Sequence, residues 1–167
     1  MRGAFRAVVL AGMFYAEAAF GADFSGVWEL DLGASDSPVP MMEATGASWM
    51  ERTAAKSMGV TQTITQTSGS VTIAVDSAAH DRLETLPLDG SPFESVDRHG
   101  EPVSSSTKLV GESMVTTSTA KLEDGRKVPV VITRSLQDGG ATLVQVVKME
   151  VDPAKPMVMR RVFRKKK

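Results

Sequence analysis

Hydrophobic and polar residues alternate with a period of two along most of the chain from residue 23 onward. In the first such segment Gly26, Trp28, Leu30 and Leu32 fall on one face, and the residues between them fall on the other. Short turns rich in Gly, Asp and Pro separate this segment from further strand-like segments at 61–66, 71–75, 83–88, 93–96, 103–109, 114–122, 128–135, 143–151 and 157–164. Runs at this regular spacing predict an all-β antiparallel meander of about ten strands, as a barrel or a sandwich.

One stretch, between the first and second strands, has helical signals instead. Pro40 suits the first turn of a helix because its missing N–H would be unpaired there, and Gly46 suits a left-handed helix end. Ser48 and Glu51 then have the spacing of a capping box, which begins a second helix. We therefore predict a short helix-turn-helix inserted into the meander.

Composition narrows the function classes. The chain has 167 residues, 42% of them hydrophobic, which is enough for the core of one domain. A formal net charge of −1 gives no electrostatic reason to expect nucleic-acid binding. There is no Cys, and the two histidines, His80 and His99, lack metal-ligand spacing, so we expect no metal and no cofactor. No nucleophile elbow, phosphate loop or dinucleotide fingerprint is present, so no catalytic residue is predicted and the chain is not expected to be an enzyme.

The N-terminus has the features of an export signal. Arg2 and Arg6 precede an apolar run at 7–16, which is too short to span a bilayer, and small residues allow cleavage after Ala18 or Gly21. We therefore predict a signal peptide at 1–22, a folded domain at 23–167 and a secreted or extracytoplasmic location. The alternative is a retained N-terminal helix on a cytoplasmic protein.

The order of motifs resembles that of the intracellular lipid-binding proteins, the fatty-acid-binding protein family within the wider lipocalin-like calycin barrels. The opening G-x-W-x-L lies at 26–30, and the helix pair lies at 41–52, with Gly in its turn and Arg six residues later. The mid-barrel G-x-x-F-[DE] follows at 90–94, the late I-x-R at 132–134 and the terminal R-V-[YF] at 161–163. This resemblance implies a closed barrel whose first and last strands pair.

The resemblance also implies a ligand site. In the family, the late-strand Arg and the terminal-strand Arg bind the carboxylate of a lipid, and these positions are Arg134 and Arg161 here. Phe163 takes the place of a Tyr whose hydroxyl would help to hold the carboxylate, and Met42 aligns with a ligand-contacting Met on the helix pair. Alternation independently puts Arg134 on one face with apolar neighbours, where a planar guanidinium would favour a carboxylate.

The predicted function is therefore non-enzymatic binding and transport of a fatty acid or similar hydrophobic carboxylate. The expected partners are this ligand and, transiently, a membrane, with the protein as a monomer. One alternative is an exported barrel packed shut and used as a protein-interaction module, and another is a lipocalin-like barrel for a different hydrophobe. The alternative for the two arginines is that both point outward, or that Arg161 stacks on Trp28 and plugs the barrel.

Overall fold

The computed structural model describes residues 21–78 and 81–167, so most of the predicted signal peptide and His80 lie outside the described residues. The described chain forms one ten-stranded antiparallel sheet in the order β4-β3-β2-β1-β10-β9-β8-β7-β6-β5. The strands are β1 Gly26–Leu30, β2 Val60–Gln66, β3 Ser70–Ser77, β4 Arg82–Pro87, β5 Asp89–Val96, β6 Pro102–Val110, β7 Ser113–Lys121, β8 Lys127–Gln137, β9 Thr142–Met149 and β10 Met157–Lys165. The predicted all-β meander is confirmed.

The first and last strands pair, as predicted. In the β1–β10 ladder Trp28 lies opposite Lys165, and Leu30 lies opposite Phe163. The sheet instead ends at β4 and β5, and within the described residues no ladder joins these two strands. The barrel is therefore nearly closed, with a seam between β4 and β5.

The helix pair lies between β1 and β2, as predicted. Helix α1 spans Val39–Ala44 and helix α2 spans Trp49–Ala55. The capping box is formed: Glu51 N donates to Ser48 Oγ at 3.3 Å, and Ser48 N donates to Glu51 Oε2 at 2.7 Å. Gly46, between the helices, has φ +76°, which glycine adopts at little steric cost. Among the described helices, none is long and apolar enough to cross a membrane.

The first strand is shorter than its alternation predicts. A 3-10 helix at Leu32–Ala34 follows β1, and Leu32 is 43% exposed instead of facing the core. The cause is local, because the Asp31 carboxylate accepts a hydrogen bond from Ala34 N at 3.1 Å and caps this turn. A side-chain cap thus overrides a hydrophobic alternation that would have extended the strand.

Two hydrophobic clusters occupy opposite ends of the barrel. The larger one includes Trp28, Phe163 and Leu143, and the smaller one joins α1 to Leu122, Val128 and Met149. Leu143 and Met149 both lie on β9, six residues or roughly 20 Å apart along the strand. The interior between the clusters is therefore bounded by a packed end and by an end that α1 covers.

Candidate functional site

A cavity of about 480 Å³ occupies this interior. Its size falls within the roughly 300–1,000 Å³ of typical small-molecule sites. Much of its wall is apolar, including Met41, Met42, Ile132, Val147, Met149 and Met159. The interior is therefore not packed shut, unlike the barrel expected of a pure interaction module.

A polar row crosses the interior on three adjacent strands. Arg134 of β8 lies opposite Gln145 of β9, and Gln145 lies opposite Arg161 of β10. Residues directly opposite in neighbouring strands point to the same face, with Cα atoms about 5 Å apart. The Cα atoms of Arg134 and Arg161 are therefore about 10 Å apart on the same face of the sheet, with Gln145 between them.

Arg134 is the most constrained member of this row. It lines the cavity, is 8% exposed, and its Nε and Nη1 atoms have no hydrogen-bond partner among the described residues. Burial lowers the pKa of Arg134 to about 10, although Glu84 partly offsets this shift by raising it. The side chain remains charged at neutral pH, so the barrel holds a buried cation that forms no salt bridge within the described part of the chain.

Arg161 is less buried and lies beyond the cavity wall. Its Nε atom is buried without a partner among the described residues, and burial lowers the pKa of its guanidinium. Gln145, between the two arginines, lines the cavity, whereas Arg161 does not. The cation over the Trp28 ring is Lys165, whose Nζ lies 5.2 Å from the ring centroid.

The other two predicted ligand residues have different positions. Met42 lines the cavity from α1, where the resemblance places it. Phe163 is buried in the cluster around Trp28, at the packed end of the barrel, and is not part of the cavity wall. The structure thus brings Arg134 and Met42 to the cavity. Phe163 instead belongs to the packed end of the barrel, two residues after Arg161 on β10.

Side chains bridge the β4–β5 seam where the ladder is missing. Arg82 Nη2 of β4 donates to the Val96 carbonyl at 2.9 Å and to Ser95 Oγ at 3.1 Å, both on β5. Ser95 Oγ donates to Glu84 Oε1 at 2.8 Å, and Arg82 forms a salt bridge with the same oxygen. We call these four residues the seam cluster, and it adds a paired charge to the cavity wall.

Another contact fastens the helices to the strand turn at the cavity mouth. Arg98 Nη2, in the β5–β6 turn, lies 2.7 Å from Glu51 Oε1 on α2. Arg98 Nη1 also donates to the Thr45 carbonyl at 3.2 Å. One side chain thus holds the helix pair over the mouth.

Two glutamines in the cavity were not among the residues predicted from the sequence. Gln62 of β2 is 5% exposed, and the Oε1 atoms of both Gln62 and Gln145 are buried without partners among the described residues. The signal was present, because Gln62 shares a strand face with Val60 and Ile64, and Gln145 shares one with Leu143. An amide in an apolar register is a candidate interior polar group.

Within the described residues, no group of His, Asp and Glu side chains is arranged to hold a metal ion.

No protein-family model and no curated protein matches the sequence. Solved structures do match it. The REP1-NXSQ fatty acid transporter superposes with a TM-score of 0.72 at 18% identity, covering 87% of this chain and 97% of that one. Fatty-acid-binding protein 1 of Echinococcus granulosus gives 0.68 at 20% identity, covering 85% and 96%. Human cRBP IV gives 0.70 at 20% identity, covering 87% and 99%. The chain therefore has the fold of the intracellular lipid-binding calycin barrels.

Proposed function

We propose that this protein is a non-enzymatic carrier that binds a fatty acid or a similar hydrophobic carboxylate inside the barrel. The observation that carries the proposal is Arg134, a buried guanidinium with two unpartnered nitrogen atoms on the wall of a largely apolar cavity. A carboxylate would supply an acceptor that this guanidinium lacks and would neutralise its charge. The fold is that of solved fatty-acid-binding and retinol-binding proteins, which supports the same interpretation.

The energetics divide between tail and head group. A tail that buries ten methylenes gains roughly 8 kcal/mol at ~0.8 kcal/mol each, near micromolar affinity before ordering costs. The apolar wall thus supplies most of the affinity. Arg134, with Arg161 behind Gln145, determines the preference for an acid over an alcohol of the same length.

Displacement of a fluorescent fatty acid from delipidated protein tests the proposal. We expect the parent to prefer palmitic acid to hexadecanol, Arg134→Met to lose most of this preference, and Arg161→Met to lose part of it. Arg126→Met, which removes an exposed arginine in the β7–β8 turn, is the matched control and should keep the preference. Failure of the delipidated parent to bind any long-chain acid or alcohol would refute the carrier function. Equal selectivity in parent and Arg134→Met would refute the anchor.

We also propose that the carrier is monomeric and contacts membranes transiently during transfer. Trp49 and Met50 support this contact, because they begin α2 beside the mouth and are 70% and 72% exposed. Trp28, in contrast, is fully buried. Vesicles containing brominated lipid should therefore quench the fluorescence of the exposed tryptophan, and Trp49→Phe should abolish that quenching.

The oligomeric state is tested separately. Light scattering during size-exclusion chromatography should give the mass of a monomer, and a larger mass would contradict the monomer.

We further propose a secreted or extracytoplasmic location, supported by the charged start, apolar run and small residues of the first 22 positions. Intact mass measurement of protein recovered from outside the cytoplasm should show removal of residues up to Ala18 or Gly21. An uncleaved chain confined to the cytoplasm would contradict this location.

A further inference from the structure

The cavity contains unpartnered acceptors as well as unpartnered donors. Gln62 Oε1 is buried on the cavity wall without a hydrogen-bond partner among the described residues. An ionised carboxylate offers acceptors only, and an alkyl tail offers neither donors nor acceptors. A simple fatty acid can therefore satisfy Arg134 but leaves the Gln62 oxygen unpaired, which costs free energy in a buried site.

The neighbours of Gln62 do not supply the missing donor. Its cross-strand neighbours are Trp28 on β1 and Val75 on β3. Trp28 Nε1 already donates to the Phe24 carbonyl at 3.0 Å, and Val75 has no side-chain donor. Gln145 Oε1 is unpartnered as well, but its cross-strand neighbours, Arg134 and Arg161, both carry N–H donors, whereas those of Gln62 have none to spare.

The position of Gln62 separates it from the carboxylate anchor. Four strand steps lie between Gln62 on β2 and Arg134 on β8, in the order β2-β1-β10-β9-β8. In a barrel of ten strands, this places the two backbone positions on nearly opposite walls, and the Arg134 side chain extends far enough from its wall for Glu84 on β4 to act on its pKa. A ligand that pairs with both must therefore carry two separate polar functions, an acceptor for Arg134 and a donor for Gln62, joined by an apolar chain.

The cavity wall near Gln62 also has polar side chains on β4. The seam cluster holds Glu84, whose Oε1 accepts from Arg82 and Ser95. No hydrogen bond to its second oxygen is present among the described residues, and Glu84 lines the same cavity. The β2–β4 wall thus has two side chains that can accept from a ligand donor.

We propose that the ligand is a hydroxylated fatty acid, with its carboxylate at Arg134 and a remote hydroxyl donating to Gln62. This inference rests on the proposed carrier function and specifies the ligand class for the same cavity. The hydroxyl supplies the donor that Gln62 lacks, and its own oxygen can accept from the amide. A hydroxyl adjacent to the carboxyl group would remain at the Arg134 wall and gain nothing from Gln62.

Competition binding with stearic acid and its monohydroxy isomers tests the proposal. The series carries the hydroxyl on the second carbon, at successive mid-chain carbons or on the terminal carbon. We expect at least one mid-chain or terminal isomer to bind the parent about tenfold more tightly than stearic acid, and the second-carbon isomer to bind no more tightly. Gln62→Leu should lose this preference while retaining stearic acid binding. Gln137→Leu, an exposed glutamine at the end of β8, should keep it.

The outcomes separate this inference from the carrier function. Binding of stearic acid by the parent, with every hydroxy isomer equal or weaker, would overturn the hydroxyl site and leave the carrier function standing. Absence of binding for all the acids would instead overturn the carrier function. If Gln62→Leu still prefers the hydroxy acid to stearic acid, the assignment of the hydroxyl site to Gln62 is overturned. The isomer preference of the parent protein tests the proposal even if Gln62→Leu does not fold.

Discussion

Arg134→Met should stabilise the ligand-free protein while weakening its response to a fatty acid. In the free barrel, the Arg134 guanidinium is buried with two unpartnered nitrogens, and burial lowers its pKa from the usual value of an arginine to about 10. Such a depression corresponds to a cost of about 3 kcal/mol for retaining the charge, at roughly 1.4 kcal/mol per pH unit. Met has similar length and needs no hydrogen-bond partner. We therefore expect the free energy of unfolding to rise by about 1–3 kcal/mol.

Urea unfolding of delipidated protein measures this gain. The midpoint should shift upward with little change in slope, because the surface exposed on unfolding hardly changes. Arg126→Met removes the same charge from an exposed position, and its free energy of unfolding should stay within about 0.5 kcal/mol of the parent value.

The stability cost of the buried Arg134 charge depends on pH in a definite direction. The pKa of Arg134 is lower in the folded state than in the unfolded state, so the cost is full below about pH 10 and is relieved only above it. The stability gap between variant and parent should therefore be constant between about pH 6 and 9.

Ligand should reverse the order of stability. A saturating fatty acid adds stability in proportion to the logarithm of its concentration over the dissociation constant, so the parent should gain more than Arg134→Met. If delipidated Arg134→Met is less stable than the parent by more than about 1 kcal/mol, the buried guanidinium stabilises the free barrel and the expected cost of its burial is wrong. The reasoning is also refuted if the acid stabilises both proteins equally, since Arg134 would then be no anchor.

Three further changes test the scaffold around the site. Trp28→Phe should lower the free energy of unfolding by about 2 kcal/mol in urea titration, because the buried Trp28 Nε1 bond to Phe24 is lost and a cavity is created; an unchanged midpoint would contradict its place in the core. Ser48→Ala should lower the free energy of unfolding by about 1 kcal/mol because the α2 cap is removed, whereas Ser48→Asp, which can still cap the helix, should retain most of the stability. Equal loss in both variants would argue against capping. Arg98→Met should speed fatty-acid dissociation in stopped-flow displacement by releasing Glu51 and the mouth, and an unchanged rate would show that the helices are held by other contacts.

The fold could be predicted because its signals are local and repeated. Alternation, turn residues and the Ser48–Glu51 box each concern residues close in sequence, and their common order limits the topology. The β1–β10 pairing was predictable only through the resemblance, since nothing local joins Trp28 to Lys165. Leu32 shows the limit of alternation, because the Asp31 cap ends the strand before that residue.

The site was less predictable because its geometry depends on register across strands distant in sequence. Alternation puts Arg134 on the apolar face, and the structure puts it there. No sequence pattern, however, indicates that Gln145 lies between Arg134 and Arg161, since β8, β9 and β10 fix that register together. The role of Phe163 likewise depended on depth along the barrel, which alternation does not report.

The unpaired polar groups of the interior are themselves an argument for a ligand. A barrel selected for stability alone would place apolar side chains at Arg134 and Gln62, since buried polar atoms without partners destabilise the folded chain. Here both line one cavity, from strands on nearly opposite sides of the barrel, one as a donor and the other as an acceptor. A single amphiphilic molecule can satisfy both, whereas repacking either wall alone cannot. The ligand-free protein is therefore expected to be less stable than the protein in which a ligand pairs with both groups. That difference in stability is available as binding free energy for a ligand with the matching pair of groups.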